Sequence, residues 1–307
     1  MIGSQATFNC IFLAVEAGRR LWNKKDDQMK HFETNWKSQD GLNIYAQAWE
    51  PDTGQPKAVV CLVHGIGEHT SRYQHVAEAF CRKGFVLFGA DHRGHGHSGG
   101  PRGHFSSIEA VMQDIALLLQ QAKTRYPGLP AFVYGHSLGG ILVLYYGLKH
   151  NPDVRGIVST SPALRSSIEQ QPLKVFAARL LGSLVPGFAL HSGLDVNLLS
   201  RDEKVVQAYI SDPLIHFKIT MGTGKIMLNL TRWTLENAPE FPLPLLLLHG
   251  KADKIAFLNG SIEFAAPLKD KCTLKIWEHS FHELHNEPEK DEVLKTITEW
   301  MEKRLDG

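Results

Sequence analysis

Residues 134–140 read YGHSLGG and contain the pattern Gly-x-Ser-x-Gly around Ser137. The pattern directly follows a short apolar segment, residues 131–134, and directly precedes an almost wholly apolar segment, residues 138–150. A serine on such a sharp strand-to-helix turn is held in a strained conformation, and the flanking glycines remove Cβ atoms that would clash there. The stretch therefore predicts a nucleophilic serine exposed at the N-terminus of a helix, although a Gly-rich turn can also match the pattern by chance.

Similar short apolar runs recur along the chain and are separated by segments with helical periodicity. Strands are predicted over residues 31–38, 42–49, 58–63, 85–90, 131–134, 156–159, 243–248 and 273–277. The first two flank an Asp-Gly turn and predict an antiparallel pair at the start of the sheet. Continuous apolar strands alternating with helices are typical of an α/β fold, with a mostly parallel central sheet and helices on both faces.

Two segments define how the helices are placed. Ser106 and Glu109 have the spacing of a capping box, and the apolar residues that follow recur at three-to-four spacing, which predicts a core-facing helix. Between residues 164 and 233 the rhythm of strands disappears, and we interpret this helical or irregular stretch as an inserted cap. The predicted core comprises residues 31–163 and 234–307, and residues 1–30 form a leader or extension.

Composition excludes several classes of function. The 33 Lys and Arg residues balance 32 Asp and Glu residues, so the chain offers no basic field for nucleic acid. Its four cysteines form no CxxC pair, which implies neither a disulfide framework nor a zinc knuckle. The early apolar stretch over residues 8–17 lacks the preceding basic residues of a signal peptide and is shorter than the about 20 residues that span a bilayer. We expect a cytoplasmic protein, with peripheral association with a membrane as the alternative.

A serine hydroxyl needs a base and an acid to become a nucleophile, and in this kind of fold the acid precedes the histidine along the chain. Asp253 lies just beyond the predicted strand 243–248, and His282 lies just after the last predicted strand. The carboxyl ends of parallel strands meet at one edge of a sheet, so these residues can approach Ser137. We prefer His282 as the base, with His279 and His285 as alternatives.

Residues 64–67 read HGIG after an early strand and match an oxyanion loop. The backbone amides of Ile66 and Leu138 would then donate to the oxygen that becomes negative in the tetrahedral intermediate, although the segment can also be an ordinary Gly turn.

We expect no metal. His282 and His285 stand three residues apart rather than at the i, i+4 spacing of a zincin, and the loop with His92, His95 and His97 lacks a further carboxylate or cysteine beyond Asp91.

Six segments in order carry a specific resemblance. They are HGIGEHTSRY at 64–73, DHRGHGHSGG at 91–100, YGHSLGG at 134–140, SDPL at 211–214, HGKAD at 249–253 and FHELHNEPE at 281–289. The chain resembles the monoacylglycerol lipase and lysophospholipase branch of the serine α/β-hydrolases from residue 31 to the C-terminus. The resemblance implies an α/β-hydrolase fold with an inserted cap. It also implies an enzyme that cleaves monoacylglycerols through an acyl-enzyme and needs no cofactor. The alternatives are hydrolysis of lysophospholipids or short acyl esters, transfer of the acyl group to an alcohol, and a non-catalytic binding role.

The resemblance also implies roles for individual residues. It assigns Ser137 as nucleophile, Asp253 as acid, His282 as base, Ile66 and Leu138 as oxyanion donors, and Glu68, Arg72, Tyr209 and His285 as a polar recess for glycerol. Glu68 and Arg72 can alternatively form an ion pair that only fixes the loop.

In the cap, six apolar residues share one helical face: Leu173, Phe176, Ala177, Leu180, Leu181 and Leu184. We prefer the interpretation that this stripe packs onto the body. The alternative is that the stripe lines an acyl tunnel and contacts a membrane or micelle that supplies a single-chain lipid ester. Lys174 and Arg179 on the other face of the helix are compatible with a lipid headgroup surface.

Overall fold

The computed structural model describes residues 29–305, so the predicted leader lies outside the described residues except for Met29 and Lys30. The strands of this part are β1 (Met29–Lys37), β2 (Asn43–Pro51), β3 (Ala58–Val63), β4 (Phe85–Ala90), β5 (Ala131–His136), β6 (Gly156–Thr160), β7 (Ala189–His191), β8 (Lys218–Thr220), β9 (Leu245–Gly250) and β10 (Cys272–Trp277). Eight of them form a central sheet in the order β1-β2-β4-β3-β5-β6-β9-β10. Within this sheet only β2 runs against its neighbours.

The predicted α/β fold is confirmed, including the antiparallel pair β1 and β2 and the parallel strands that follow. Most strand boundaries agree within two residues, and β3 and β4 agree at both ends. β9 begins at Leu245 rather than at residue 243 because Pro244 has no N–H to donate to the sheet, although its carbonyl accepts from Ile157 N.

Helices cover both faces of the sheet. They are α1 (Gln74–Cys81), α2 (Ile108–Arg125), α3 (Leu138–His150), α4 (Pro172–Leu184), α5 (Glu203–Ser211), α6 (Met221–Glu236), α7 (Leu258–Ala265) and α8 (Lys290–Glu302). Short 3₁₀ helices occupy Thr70–Tyr73, Ser167–Gln170, Val196–Leu198, Ala238–Glu240, Ala266–Lys271 and Leu284–Asn286. None of the helices within residues 29–305 is both long and apolar enough to cross a membrane.

The core consists of two apolar layers, one on each side of the sheet. Along β3, Val59 and Cys61 pack on the side of α2 and α3, whereas Val60 and Leu62 pack on the side of α1 and α8. A strand buried on both faces explains why β3 reads as a continuous apolar run in the sequence. The sheet is therefore a rigid support for the loops at its carboxyl edge.

The N-cap residue of helix α2 lies one position later than predicted. Ser107, not Ser106, is the N-cap, since its extended backbone precedes Ile108 and its side chain accepts from Ala110 N at 3.1 Å. The Ser106 hydroxyl instead accepts from Arg93 Nη1 at 3.1 Å. The predicted capping box at Ser106 was therefore wrong, because the Ser106 hydroxyl binds Arg93 instead of the first turn of the helix.

Between β6 and β9 the chain forms α4, α5 and α6 together with a small antiparallel pair, β7 and β8. The sequence predicted only helical or irregular structure here, because strands of three residues are too short to show an alternating pattern. The last helix, α6, also continues past residue 233 to Glu236.

The apolar stripe of α4 does not pack onto the body. Leu173, Phe176, Leu180 and Leu184 are 83%, 65%, 50% and 68% exposed. The preferred packing interpretation was therefore wrong, because α4 packs against α6 through its other face, where Gly182 contacts the main chain of α6. Leu181 is half-buried, and the side chains of Lys174 and Ala177 lie outside the described part of the structure.

Candidate active site

Ser137 lies on the turn between β5 and α3 with a strained backbone. Its φ of 55° and ψ of −114° are unusual for a residue with a side chain. The turn is closed by backbone on both sides, since a Cβ on Gly135 would collide with the Gly139 carbonyl and one on Gly139 would collide with the Val63 carbonyl. Both glycines of the pattern are therefore required by close contacts rather than by chain flexibility.

The structure brings Ser137, Asp253 and His282 together from three loops. His282 Nε2 lies 2.8 Å from Ser137 Oγ, and His282 Nδ1 lies 2.7 Å from Asp253 Oδ2. The other carboxylate oxygen of Asp253 accepts from Ile255 N at 2.8 Å and Ala256 N at 3.0 Å. Asp253 is thus fixed in orientation, and Oδ2 is the oxygen presented to the imidazole.

The two alternative bases are elsewhere. The side chain of His279 is exposed to solvent. His285 is fully buried and stacks on Tyr73, with 4.8 Å between ring centroids. Neither occupies the position beside Ser137 that His282 takes.

The electrostatics of this group raise the proton affinity of the His282 imidazole. Burial by itself lowers the pKa of His282, but the charge and hydrogen bond of Asp253 outweigh burial and raise that pKa above its ordinary value. Burial raises the pKa of Asp253, but attraction to His282 and hydrogen bonds from His249 and His282 outweigh this and lower the pKa. Because ionised Asp253 accepts from Nδ1–H, Nε2 is left to accept the Ser137 proton.

The segment 64–67 borders Ser137. A Cβ on Gly65 would lie only 3.3 Å from Ser137 Cβ, and Ile66 lines the same cavity as Ser137. Leu138 is the first residue of α3, where the amides of a helix have no intrahelical acceptor. Ile66 therefore shares the cavity with Ser137, and Leu138 follows Ser137 directly, so an oxygen bound beside the Ser137 hydroxyl would also feel the positive end of the α3 dipole.

The histidine-rich loop supports this segment. His64 Nε2 accepts from His92 N at 2.9 Å, so its Nδ1 donates to Gly65 O at 2.8 Å. His92 Nε2 in turn donates to His64 O at 2.9 Å. Burial, followed by repulsion from His92 and His95, lowers the pKa of His64 and keeps it neutral. Within residues 29–305, no group of three or more His, Cys, Asp or Glu side chains is arranged to hold a metal ion.

The predicted glycerol recess is only partly assembled at the cavity. Glu68 and Tyr209 line the cavity with Ser137, whereas Arg72 and His285 do not. The Glu68 carboxylate accepts from Gly65 N at 2.6 Å, Tyr73 Oη at 2.8 Å and Arg72 Nη1 at 2.6 Å. Glu68 and Arg72 thus form the ion pair that fixes the loop. The Arg72 guanidinium also lies over the Tyr209 ring at 4.6 Å.

His285 is not placed to contact a substrate in this structure. Its ring packs between Tyr73 and His136, and neither ring nitrogen has a hydrogen-bond partner among the described residues. Burial, and then repulsion from His136, lowers its pKa well below the ordinary value.

Glu283 is a cavity-lining carboxylate that the sequence analysis missed. Its position directly after the candidate base in FHELHNEPE was the available signal.

The family model described as "Serine aminopeptidase, S33" (Hydrolase_4) matches residues 54–289. The chain belongs to this family. The chain is 38% identical over 89% of its length to an uncharacterized abhydrolase domain-containing protein of Dictyostelium discoideum, and it spans 29% of that protein. It is 36% identical to the monoacylglycerol lipase of Mycolicibacterium smegmatis, with 86% of this chain and 95% of that protein covered.

A solved structure agrees with these matches. The crystal structure of Paleococcus ferrophilus monoacylglycerol lipase superposes with a TM-score of 0.77 at 32% identity, covering 90% of this chain and 100% of that chain. The α/β-hydrolase fold and the resemblance to monoacylglycerol lipases that the sequence predicted are thereby confirmed.

Proposed function

We propose that this chain is a carboxylic ester hydrolase that cleaves monoacylglycerols to a fatty acid and glycerol. The observation that carries the proposal is the continuous hydrogen-bonded chain from Ser137 through His282 to Asp253, with both links shorter than 3 Å. The similarity of this chain to the monoacylglycerol lipases of Mycolicibacterium smegmatis and Paleococcus ferrophilus supports the substrate class.

The first half of the reaction forms an acyl-enzyme. Ser137 Oγ attacks the ester carbonyl carbon while its proton moves to His282 Nε2. The carbonyl oxygen becomes negative and accepts from the Ile66 and Leu138 amides. The C–O bond to glycerol then breaks, and His282 gives its proton to the departing glycerol oxygen. Asp253 stabilises the imidazolium during this step because its Oδ2 accepts from Nδ1–H.

The second half releases the fatty acid. A water molecule takes the position of glycerol, loses a proton to His282 Nε2 and attacks the acyl carbon. The tetrahedral intermediate collapses with cleavage of the bond to Ser137 Oγ, which recovers the proton from His282. Atoms and charge balance without an added cofactor.

We place the glycerol head group beside Tyr209 rather than beside His285. Tyr209 lines the cavity together with Ser137, and its side chain is buried. Burial, and then the nearby carboxylates, raises the pKa of Tyr209, so this hydroxyl stays neutral and can donate. Glu68 contributes through the loop that it holds, since its oxygens already accept three hydrogen bonds.

We further propose that the exposed face of α4 contacts a lipid surface. Phe176 and Leu180 project from this face, and the apolar residues Val185 and Phe188 that follow are also exposed. Several large exposed apolar side chains within one short segment are typical of an interaction site, and a lipid surface is the source of a single-chain ester.

Sedimentation with phosphatidylcholine vesicles tests the lipid contact, with the double substitution F176S/L180S as the variant. A matched control is Ile262→Ser, which removes a 47% exposed apolar side chain on α7. We expect only F176S/L180S to reduce sedimentation, with p-nitrophenyl acetate hydrolysis unchanged in both. Equal sedimentation of all three proteins would contradict the lipid contact.

The substrate proposal is tested by release of fatty acid from monoacylglycerol, diacylglycerol, triacylglycerol, lysophosphatidylcholine and p-nitrophenyl esters at equal concentration. We expect the highest kcat/KM with monoacylglycerol. Preference for lysophosphatidylcholine, or activity confined to short p-nitrophenyl esters, would overturn the monoacylglycerol assignment and leave a serine esterase.

A further inference from the structure

Glu283 directly follows the base His282, and its buried carboxylate is held by three donors. Arg72 donates through Nη1 to Oε1 and through Nη2 to Oε2, both at 2.8 Å, and Asn286 Nδ2 donates to Oε2 at 2.7 Å. The side chain is 2% exposed. Arg72 therefore binds Glu283 as a planar, two-bonded pair, which fixes orientation as well as distance.

The same guanidinium reaches the loop beside the serine. Arg72 Nη1 also donates to Glu68 Oε2 at 2.6 Å, and Glu68 Oε1 accepts from Gly65 N at 2.6 Å. Gly65 immediately precedes Ile66, the proposed oxyanion donor. A continuous path of buried and partly buried hydrogen bonds thus runs from Glu283, the residue after the base, to Gly65, the residue before the proposed oxyanion donor.

This inference rests on the proposed ester hydrolysis. We propose that Glu283 is a positioning residue which, through Arg72 and Glu68, holds the loop of His282 and the oxyanion loop at a fixed distance from each other across Ser137. The two loops are more than 200 residues apart in the chain, since the Arg72–Glu283 pair spans 211 positions. Errors in their relative placement act on kcat, because both loops must meet the same tetrahedral intermediate.

The carboxylate also acts on the charge of the base. The charged and titratable groups that act on the His282 ring include Asp253, Glu283, Glu68 and His136. His249 in turn faces Asp253, and Arg72 faces Glu68 and Glu283. Burial lowers the pKa of His282, whereas Asp253, Glu283 and Glu68 raise it. Removal of the negative charge at Glu283 therefore shifts the acidic limb of the pH profile toward lower pH, an effect that a purely structural role would not produce.

Two substitutions separate the distance between the two loops from the negative charge of Glu283. Glu283→Gln keeps an oxygen acceptor for Arg72 but removes the charge, and Arg72→Lys keeps the charge but cannot bridge two carboxylates with a planar fork.

The matched control is Glu287→Gln. Glu287 is a buried carboxylate of the same loop that accepts from Arg201 N at 2.8 Å and Arg201 Nε at 2.5 Å, away from the oxyanion loop. All four proteins are compared by p-nitrophenyl butyrate hydrolysis between pH 5 and 9 and by thermal unfolding.

We expect Glu283→Gln to lower kcat about ten- to a hundredfold, the loss typical of one hydrogen bond to a charged group, with KM within about twofold. Its acidic limb moves to lower pH. Arg72→Lys lowers kcat similarly but leaves the limb in place, and Glu287→Gln changes neither.

An unchanged kcat in Glu283→Gln, or equal losses in Glu283→Gln and Glu287→Gln, would overturn the positioning role. If Glu283→Gln does not fold, Arg72→Lys decides, and a wild-type kcat in that variant would also overturn it. A wild-type protein that hydrolyses no ester would instead refute the proposed function, and the positioning role with it.

Discussion

Substitution of Asp253 by asparagine tests the proposed acid through a change of one atom. Oδ1 of Asp253 accepts from two backbone amides, Ile255 N and Ala256 N, so the carbonyl oxygen of an asparagine will take that side. Its NH₂ group then faces His282 Nδ1, which lies 2.7 Å away in the wild type. The imidazole must accept at Nδ1 and carry its proton on Nε2, where it can no longer take a proton from Ser137.

A base held in the wrong tautomer costs about 10⁴-fold in kcat, or about 5 kcal/mol of transition-state stabilisation, in enzymes with this arrangement. We expect a loss of that size in Asp253→Asn for p-nitrophenyl butyrate, measured by stopped-flow and steady-state rates with circular dichroism to verify folding.

The chain offers a matched control for this substitution. Asp212 pairs with His69 Nε2 at 2.9 Å and also accepts from a backbone amide, Leu214 N. It lies outside the hydrogen-bonded chain that joins Ser137, His282 and Asp253. Asp212→Asn should retain kcat within about threefold, the scale of a weak partly exposed pair. If Asp253→Asn retained a tenth of the wild-type kcat in a folded protein, the tautomer argument would be refuted.

Three further predictions follow from the same contacts. On acidification, kcat/KM should fall through a midpoint above 6.5, because His282 is a base only when neutral and Asp253 raises its pKa; a midpoint below 6.5 in a pH profile would contradict this. Tyr209→Phe should raise KM for monoacylglycerol about two- to tenfold, the value of one neutral hydrogen bond, and leave KM for p-nitrophenyl acetate unchanged; equal effects on both esters would count against a glycerol contact. Ser107→Ala should lower the free energy of unfolding in urea by about 1 kcal/mol through loss of the α2 cap, and an unchanged midpoint would show that this cap is unimportant.

The fold and the grouping of Ser137, Asp253 and His282 were predictable because their signals are local. Ser137 is marked by glycines on either side that the turn itself requires, and Asp253 and His282 each follow a recognisable strand. Topology then brings the carboxyl ends of these strands together, so distance along the chain was no obstacle. The choice among His279, His282 and His285 was not settled by spacing, because all three follow the same strand.

Other features could not be predicted because they depend on partners distant in the chain. Glu283 owes its importance to Arg72, and no local pattern marks a pair that spans 211 positions. Periodicity correctly placed Phe176 and Leu180 on one helical face, but it does not reveal whether another element covers that face. The N-cap of α2 was misplaced for a related reason, since Ser106 is bound by Arg93.

We expect ester hydrolysis to proceed through an acyl group on Ser137. The most direct measurement is acid quenching during steady-state hydrolysis of p-nitrophenyl butyrate, followed by mass spectrometry of the intact protein and its peptides. We predict a butyryl adduct on the peptide that contains Ser137, and neither adduct nor turnover in Ser137→Ala. Turnover that persists in Ser137→Ala, or an adduct located on another residue, would contradict an acyl-enzyme on Ser137.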